Sequence, residues 1–533
     1  MPRTLKGESD PVRLRFGGGL NSRGSEEDID PRECASGENF ALDTGNLQLR
    51  PRKPFDLVGT LPNAGTVKGA ATLLKSDGTV STLIQGDGNV YEWTAGPTFT
   101  LVGTVDSNAK IRGRIEHISQ LDDIVVITDL ALTDTVKQWD GTTFSTITFT
   151  DENAAAFGTF KAKYAYVAQE QLVFANIHDN GTDFQHLIVG AKRGTYTQIT
   201  TTDRPSSSIS VGDPFFLVQP DLYAINGIVE QFGKVIISSN QGSLYRMTGS
   251  SSQDYAMDEL ASLSAAAGDE AIVRTPADVL YGRQGKVESV TATERFGDVE
   301  ANDLSFWIAD EIEDFGDWLV VYNKRLDRTY FHPVGQSRVY VFHHGMFQLM
   351  KGELSPWAKW TTQHAMAFNP TLMMPVFSPI DKLEYVLMGD ASGNVYTMEG
   401  TASGGDGGSA SVKSFRESAL LSAAAEGKVR DIQGYLRYRK NKAVSVELTV
   451  KFAGEHKISE AVTIPLPAAT FDPVYGSTAY YGTTEFYGTE QDSLRRQRWT
   501  VPASSNDLQI RVEVDDTDEY VVNEIGFRYS ETN

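Results

Sequence analysis

The sequence predicts an all-β protein: a β-propeller of about seven blades, with six or eight fitting the same arithmetic, an N-terminal extended arm and a C-terminal β-sandwich. Three observations predict it. Short β-branched and aromatic runs bounded by Gly, Asp, Asn and Ser fill the middle of the chain, with almost no helical periodicity. One phrase returns within that region at blade-like spacing. Beyond a Gly-rich linker, apolar and polar residues alternate as they do in strands with one face in a core.

The chain of 533 residues is long enough for about two to four domains. Residues 1–55 carry 9 basic and 9 acidic side chains, so the whole acidic excess lies downstream. This segment reads as a docking arm, with a flexible leader as the plain alternative. Its landmarks are Phe16-Gly17-Gly18-Gly19-Leu20-Asn21, Asp30-Pro31, Asn39 and Arg50-Pro51-Arg52-Lys53. Consecutive glycines allow a sharp bend or a close approach to a neighbour.

Residues 56–400 carry the repeat. Gly88-Asn89-Val90-Tyr91-Glu92-Trp93, Gly242-Ser243-Leu244-Tyr245-Arg246-Met247 and Gly393-Asn394-Val395-Tyr396-Thr397-Met398 share a turn glycine, a branched apolar residue, an aromatic and an apolar end. Weaker echoes lie at 136–139, 285–290 and 336–341. The spacing, roughly 45 to 57 residues, fits blades of about 40 to 50 residues. A lone blade leaves both faces wet, so blades stack radially and ring closure hides the ends. Without the period, the same strands fit a pair of β-sandwiches. Strand runs include Ile124-Val125-Val126-Ile127, Val235-Ile236-Ile237, Trp318-Leu319-Val320-Val321-Tyr322 and Val339-Tyr340-Val341-Phe342. Asp258-Glu259-Leu260-Ala261-Ser262-Leu263, followed by Ala265-Ala266-Ala267, instead predicts a short amphipathic helix between blades.

Residues 401–410 form a flexible linker by composition. Residues 411–533 then predict the β-sandwich. Its insertion at 471–490, rich in tyrosine and glycine and carrying Tyr475, Tyr480, Tyr481 and Tyr487, reads as an exposed contact loop or a mobile insertion.

The search for chemistry comes out nearly empty. Cys34 is the only cysteine, so no intramolecular disulfide forms, and no Cys/His set has zinc spacing. No G-x-S-x-G elbow and no phosphate-binding loop occurs. The eight histidines include no H-x-x-x-H pair, and adjacent His343-His344 in a strand point to opposite faces, which makes them turn or surface residues. Acidic pairs such as Asp77-Gly78, Asp87-Gly88 and Asp122-Asp123 read as hairpin turns. The repeated aspartate box of propeller sialidases is not found. No catalytic residue, cofactor or metal is expected.

With 48 basic and 70 acidic side chains the net charge is −22, which disfavours a surface that grips phosphates. The N-terminus lacks the apolar run of a signal peptide and no stretch approaches eighteen uninterrupted apolar residues. The expectation is a chain made and kept in the cytoplasm, at least until assembly, with no membrane insertion.

The arm, the blades and the sandwich together resemble the tail nozzle, or tail tube, proteins of short-tailed bacteriophages. The residues carrying the likeness are Phe16-Gly17-Gly18-Gly19-Leu20-Asn21, Asp30-Pro31-Arg32-Glu33, Asn39, Gly45-Asn46-Leu47 and Arg50-Pro51-Arg52, with Glu294-Arg295-Phe296-Gly297-Asp298-Val299 and Asp303-Leu304-Ser305 further along. The resemblance implies a structural virion protein rather than an enzyme: a homohexamer in the virion tail around an axial DNA channel. One end docks on an adaptor or portal-side ring, and the other holds a gate, a contact that Tyr475, Tyr480, Tyr481 and Tyr487 would suit, or meets a needle, plug or fibres. DNA passes without specific binding, since an acidic lining repels phosphate. For docking on the neighbouring ring or subunit, the residues that stand out are Arg50, Arg52 and Lys53, as exposed cations, with Phe16, Leu20 and Asn21. The alternative of another class is a receptor-binding or glycan-degrading tail protein, and a further rival is a hub component of a long tail, with the same domains but different neighbours.

Overall fold

In the computed structural model, the described residues are 12–14, 18–23, 29–30, 32–43, 48–114, 123–168, 170–201, 210–231, 233–262, 265–290, 303–361, 369–399, 412–418, 421–422, 428–440, 444–453, 459–466, 495–505, 507–515 and 520–532. They group into two bodies.

The larger body holds residues 56–338 and 368–398. It is a β-propeller, established by its own strand order. The first blade is the antiparallel meander Val67–Leu74, Val80–Gly86, Asn89–Ala95 and Thr98–Thr104. The second is Ile111–Arg114, Val125–Asp129, Lys137–Trp139 and Phe144–Thr146. The third runs from Phe160–Ala168 to Phe215–Val218, and the fourth from Ile225–Gln231 to Ala256–Ala261. The fifth has the three strands Ile272–Arg274, Val279–Arg283 and Lys286–Ser289. The sixth supplies the hairpin Trp318–Asn323 and Arg328–Pro333 to this body. The seventh begins with Leu372–Phe377, Glu384–Gly389 and Asn394–Thr397.

The seventh blade is completed by a strand from the opposite end of the sequence. Asp56–Thr60 pairs antiparallel with Asn394–Thr397, with Asn394 opposite Thr60 and Thr397 opposite Asp56. Each blade touches the next and the seventh touches the first, so the ring closes. Closure is also held by Thr371 Oγ1 donating to the Val67 carbonyl at 2.6 Å and Thr82 Oγ1 donating to the Phe377 carbonyl at 2.7 Å.

The core lies between blades rather than within them. Phe160 and Phe174 of the third blade meet Val126 and Val136 of the second, and Phe149 and Phe157 from the connection between them. Leu372, Met374 and Leu387 of the seventh pack on Val67, Ile84 and Trp93 of the first. Near the axis the strands crowd, and small residues become obligatory. A Cβ on Gly113 would lie 2.9 Å from the Ala71 Cβ, where the second blade's first strand runs parallel to the first blade's.

The repeated phrase has a local cause. At 88–93, 136–139, 242–247, 285–290 and 393–398 it marks the third strand of a blade, and it most often follows a tight hairpin with a positive-φ residue such as Asp87, Gly285 or Gly393. The third blade makes the same turn with Asn180-Gly181 but continues Thr182-Asp183-Phe184, without the phrase.

The helix expected at 258–263 is corrected. Ala256–Ala261 is the outermost strand of the fourth blade, with Asp258 opposite Arg246 and Met257 opposite Met247. Cross-strand pairing of opposite charges and of apolar residues outweighs helix propensity that is a fraction of a kcal/mol per residue.

The smaller body gathers residues 1–55, 339–367 and 399–533. Among the described residues it contains two six-stranded sheets. One joins Phe40–Asp43 and Gln48–Pro51 to Tyr520–Thr532, Lys428–Lys440 and Arg495–Ser505, with Val12–Leu14 also paired to Tyr520–Thr532. The other joins Cys34–Glu38 to Lys413–Ser418, Asp507–Asp515, Val444–Ala453 and Ser459–Leu466, with Leu421–Ser422 paired to Asp507–Asp515. The arm is extended, but it does not stand alone. Its strands cover sheet edges whose free N–H and C=O groups would otherwise be open templates. The linker 401–410 and the insertion 471–490 lie outside the described residues.

Candidate functional site

The first strands of the blades bring a charged cluster to the propeller axis. Ile111–Arg114 supplies Arg112, Phe160–Ala168 supplies Lys163 and Tyr164, and the residues just before Ile272–Arg274 supply Asp269 and Glu270. Arg112 Nε donates to Glu270 Oε1 at 2.5 Å and Nη2 donates to Oε2 at 2.6 Å, a two-point fork. Its Nη1 donates to the Lys68 and Ile111 carbonyls, both at 2.8 Å. Lys163 Nζ donates to both Asp269 oxygens at 3.2 and 3.1 Å. Tyr164 Oη donates to Asp269 Oδ1 at 3.1 Å. Burial, reinforced by the Asp269 charge, raises the Tyr164 hydroxyl well above its ordinary pKa, so it stays a neutral donor.

Glu270 forms a parallel bridge with Leu319, and Val320 N–H donates to the Glu270 carbonyl at 2.9 Å. The dipeptide 269–270 thus ties the second, third and sixth blades at their inner ends. Beside it lies a cavity of about 240 Å³ with apolar walls that include Val126, Ile228, Ile272, Val320 and Met374. The arrangement can hold a small ligand by paired charge and apolar contact. Among the described residues no group of three or more His, Cys, Asp or Glu is placed to hold a metal ion.

The arm residues singled out in the sequence form a second locus, inside the smaller body. Leu20 is buried, its N–H donates to the Trp357 carbonyl at 2.7 Å, and its carbonyl accepts from Ser355 Oγ. Asn21 Nδ2 donates to Glu33 Oε2 at 2.7 Å, while Glu33 Oε1 accepts the Ser355 N–H at 2.5 Å. Burial pushes the Glu33 carboxyl up. The glycine run serves a close approach here: a Cβ on Gly19 would sit 2.1 Å from the Trp357 carbonyl oxygen. Gly19→Ala must shift backbone and is expected to lower stability by about 2 kcal/mol, read as a lower denaturation midpoint with an unchanged slope.

The expectation that Arg52 is an exposed docking cation is corrected. It is 3% exposed. Nε donates to Asn39 Oδ1 at 2.9 Å, Nη1 to the Lys53 carbonyl at 3.0 Å and Nη2 to the Thr361 carbonyl at 3.2 Å. The guanidinium lies 4.0 Å above the Phe55 ring. A cation with its donors and its face so engaged is an internal staple. Lys53 is exposed, and Arg50 lies in the strand Gln48–Pro51 opposite Ala41. Leu20 and Asn21 are likewise engaged within the body. Phe16, Tyr475, Tyr480, Tyr481 and Tyr487, with the stretch 294–299, lie outside the described residues.

The reading of His343 and His344 as turn or surface residues on one strand is corrected too. His343 is buried at the end of Arg338–His343, and His344 opens the helix His344–Leu349. His332 is also buried, with Nδ1–H donating to the Arg338 carbonyl at 2.9 Å, and burial lowers its pKa to about 4. The unfolded chain titrates this group near 6.5, so between pH 6.5 and 4 the unfolded state binds more protons and stability falls as pH falls. The loss is expected to reach about 2 to 3 kcal/mol by pH 4 and to be absent in His332→Gln, measured by urea unfolding across that window.

Cys34 is fully buried with Arg416 Nε donating to its Sγ at 2.9 Å, and burial raises its thiol pKa, which suits a structural residue better than a nucleophile. The axial residues escaped the sequence reading because they come from separate blades and form no local motif. The one available signal was a charge inside an inner strand, Arg112 in Ile-Arg-Gly-Arg and Lys163 in Phe-Lys-Ala-Lys-Tyr.

No protein-family model and no curated protein matches the chain. Among solved structures it is similar to virginiamycin B lyase from Staphylococcus aureus, at 10% identity over 64% of this chain and 98% of that one, with a TM-score of 0.37. YCF48 from Cyanidioschyzon merolae aligns at 11% identity over 65% of this chain and 99% of that one, with a TM-score of 0.36. The WD40 domain of Toxoplasma gondii coronin aligns at 9% identity over 65% of this chain and 83% of that one, with a TM-score of 0.32. Scores this low leave the ring to be judged from the chain's own strand order.

Proposed function

We propose that the protein is a structural, non-catalytic component of a bacteriophage tail: a nozzle subunit that assembles as a homohexameric ring and conducts genome DNA during ejection. The observation that carries this reading is the closed ring of blades, a stiff body of the kind a conduit wall requires, in one chain with the nozzle-like segment that contains Gly18, Gly19, Leu20, Asn21 and Arg52. The arm strands Cys34–Glu38, Phe40–Asp43 and Gln48–Pro51 pair into the sheets of the smaller body, so the contribution of this segment to assembly is to shape that body. Lys53 remains an exposed cation of the basic stretch and the side chain available for docking on an adaptor or portal-side ring.

In this reading the DNA channel lies between subunits and not along the propeller axis. The axis is crossed by the 269–270 clasp beside a cavity of only about 240 Å³. A duplex whose major groove alone is about 12 Å wide does not pass there. A net charge of −22 suits a wall past which phosphate must slide without sticking.

Electron cryomicroscopy of the purified full chain and of tails containing it tests the proposal. The expected result is a six-fold ring coaxial with the portal, and no cleavage of host polysaccharide by the purified ring. A monomer or trimer placed off the particle axis, or rapid release of sugar fragments, overturns it in favour of a receptor-binding or glycan-degrading role.

A further inference from the structure

We propose that the axial cavity of the propeller is a binding site for a small zwitterion with an apolar body, of the class of an aliphatic α-amino acid, held between Lys163 and Asp269. The inference is independent of any role in a tail.

The two ion pairs at the axis differ in kind. Arg112 directs four donor contacts to Glu270 and to two backbone carbonyls, and its side chain is 13% exposed. That pair is closed and holds blades together. Lys163 places both of its hydrogen bonds on a single carboxylate, which leaves one of its three N–H donors for another partner. Asp269 keeps acceptor capacity on Oδ2, and the side chains of Lys163 and Asp269 are 21% and 39% exposed, so solvent reaches both. A cation and an anion therefore stand side by side, each with capacity left, at the edge of a chamber walled by Val126, Ile228, Ile272, Val320 and Met374.

The ligand class follows from charge balance and size. The lining carries Arg112, Lys163, Asp269 and Glu270 among its charged groups and sums to zero. A ligand of net charge would leave an uncompensated ion in a partly buried site, which is costly. A ligand bearing both a carboxylate and an ammonium can set the first against Lys163 and the second against Asp269, making a four-charge square without changing the balance. The apolar wall then takes an aliphatic side chain, and Met374 adapts to its shape. The cavity lies below the ~300 to 1,000 Å³ of sites for drug-sized molecules, which limits the ligand to the smallest metabolites.

The test is calorimetric titration of the full chain with L-leucine as probe, beside 4-methylpentanoate, which lacks the ammonium, and 3-methylbutylamine, which lacks the carboxylate. Leucine is expected to saturate one site, with each analogue weaker by about tenfold or more, since each leaves one charge of the pair without its new partner. Lys163→Gln and Asp269→Asn are each expected to weaken leucine by about tenfold or more while keeping a cooperative thermal transition. The analogue comparison on the unaltered chain stands even where a variant fails to fold. Absence of leucine binding at tens of millimolar, equal binding of leucine and either analogue, or unchanged affinity in a folded Lys163→Gln variant overturns the proposal.

Discussion

Replacing Arg112 with methionine is expected to destabilise the propeller by about 3 to 4 kcal/mol, because it leaves the Glu270 carboxylate at the axis with its charge unanswered. The guanidinium makes both fork contacts to Glu270, and the two side chains are only 13% and 21% exposed, so water compensates little of the loss. The Lys68 and Ile111 carbonyls lose a donor as well. A double variant, Arg112→Met with Glu270→Met, removes both charges and is expected to recover all but about 1 kcal/mol, since a buried pair contributes little net stability beyond its own desolvation. Urea unfolding of the two single variants and the double variant measures this. Additive losses, with no recovery in the double variant, would show that the fork does not fasten the blades at the axis.

A loss of about 4 kcal/mol is the second large effect, expected for Phe174→Ala. Phe174 is fully buried in the second strand of the third blade and meets Phe149 edge-on at 5.3 Å and Phe160 at 5.4 Å between ring centroids. Phe149 and Phe160 themselves lie 4.7 Å apart. Truncation empties a site whose neighbours are fixed strands of two adjacent blades, so the cavity cannot collapse, and the aromatic edge contacts vanish with it. Phe174→Leu is expected to recover about half of the loss, because it refills most of the volume without the ring. A variant Phe174→Ala that unfolds at the same urea concentration as the parent would mean that the interface between the second and third blades is not where ring stability resides.

The blade architecture was legible because its cause is local. The hairpin before a third strand needs a residue tolerant of positive φ, and the strand after it must bury alternate apolar side chains between blades. Asp87-Gly88-Asn89-Val90-Tyr91 and Ser392-Gly393-Asn394-Val395-Tyr396 therefore look alike although they sit in the first and seventh blades. The same logic failed where a local preference was overruled at a distance. Asp258, Glu259 and Leu260 favour a helix by themselves, but Leu244–Thr248 offers an edge with Arg246 opposite Asp258, and pairing prevails. Arg52 was misjudged for a related reason. Nothing in Arg50-Pro51-Arg52-Lys53 announces that Asn39 and Thr361 accept hydrogen bonds from that guanidinium.

The order of residues alone sets the element type: strands from β-branched and aromatic alternation, turns from Gly, Asp and Asn, and a recurring hairpin phrase, all fixed by interactions within a few residues of one another. Which ends meet was decided only in three dimensions. Asp56–Thr60 closes the ring by pairing with a strand more than three hundred residues away, and Arg112, Lys163, Asp269 and Glu270 become neighbours only because radial stacking turns the first strand of every blade toward one axis. Strand pairing uses backbone groups common to every residue, and ion pairing needs proximity but no fixed spacing, so neither choice leaves a mark in the order of the letters.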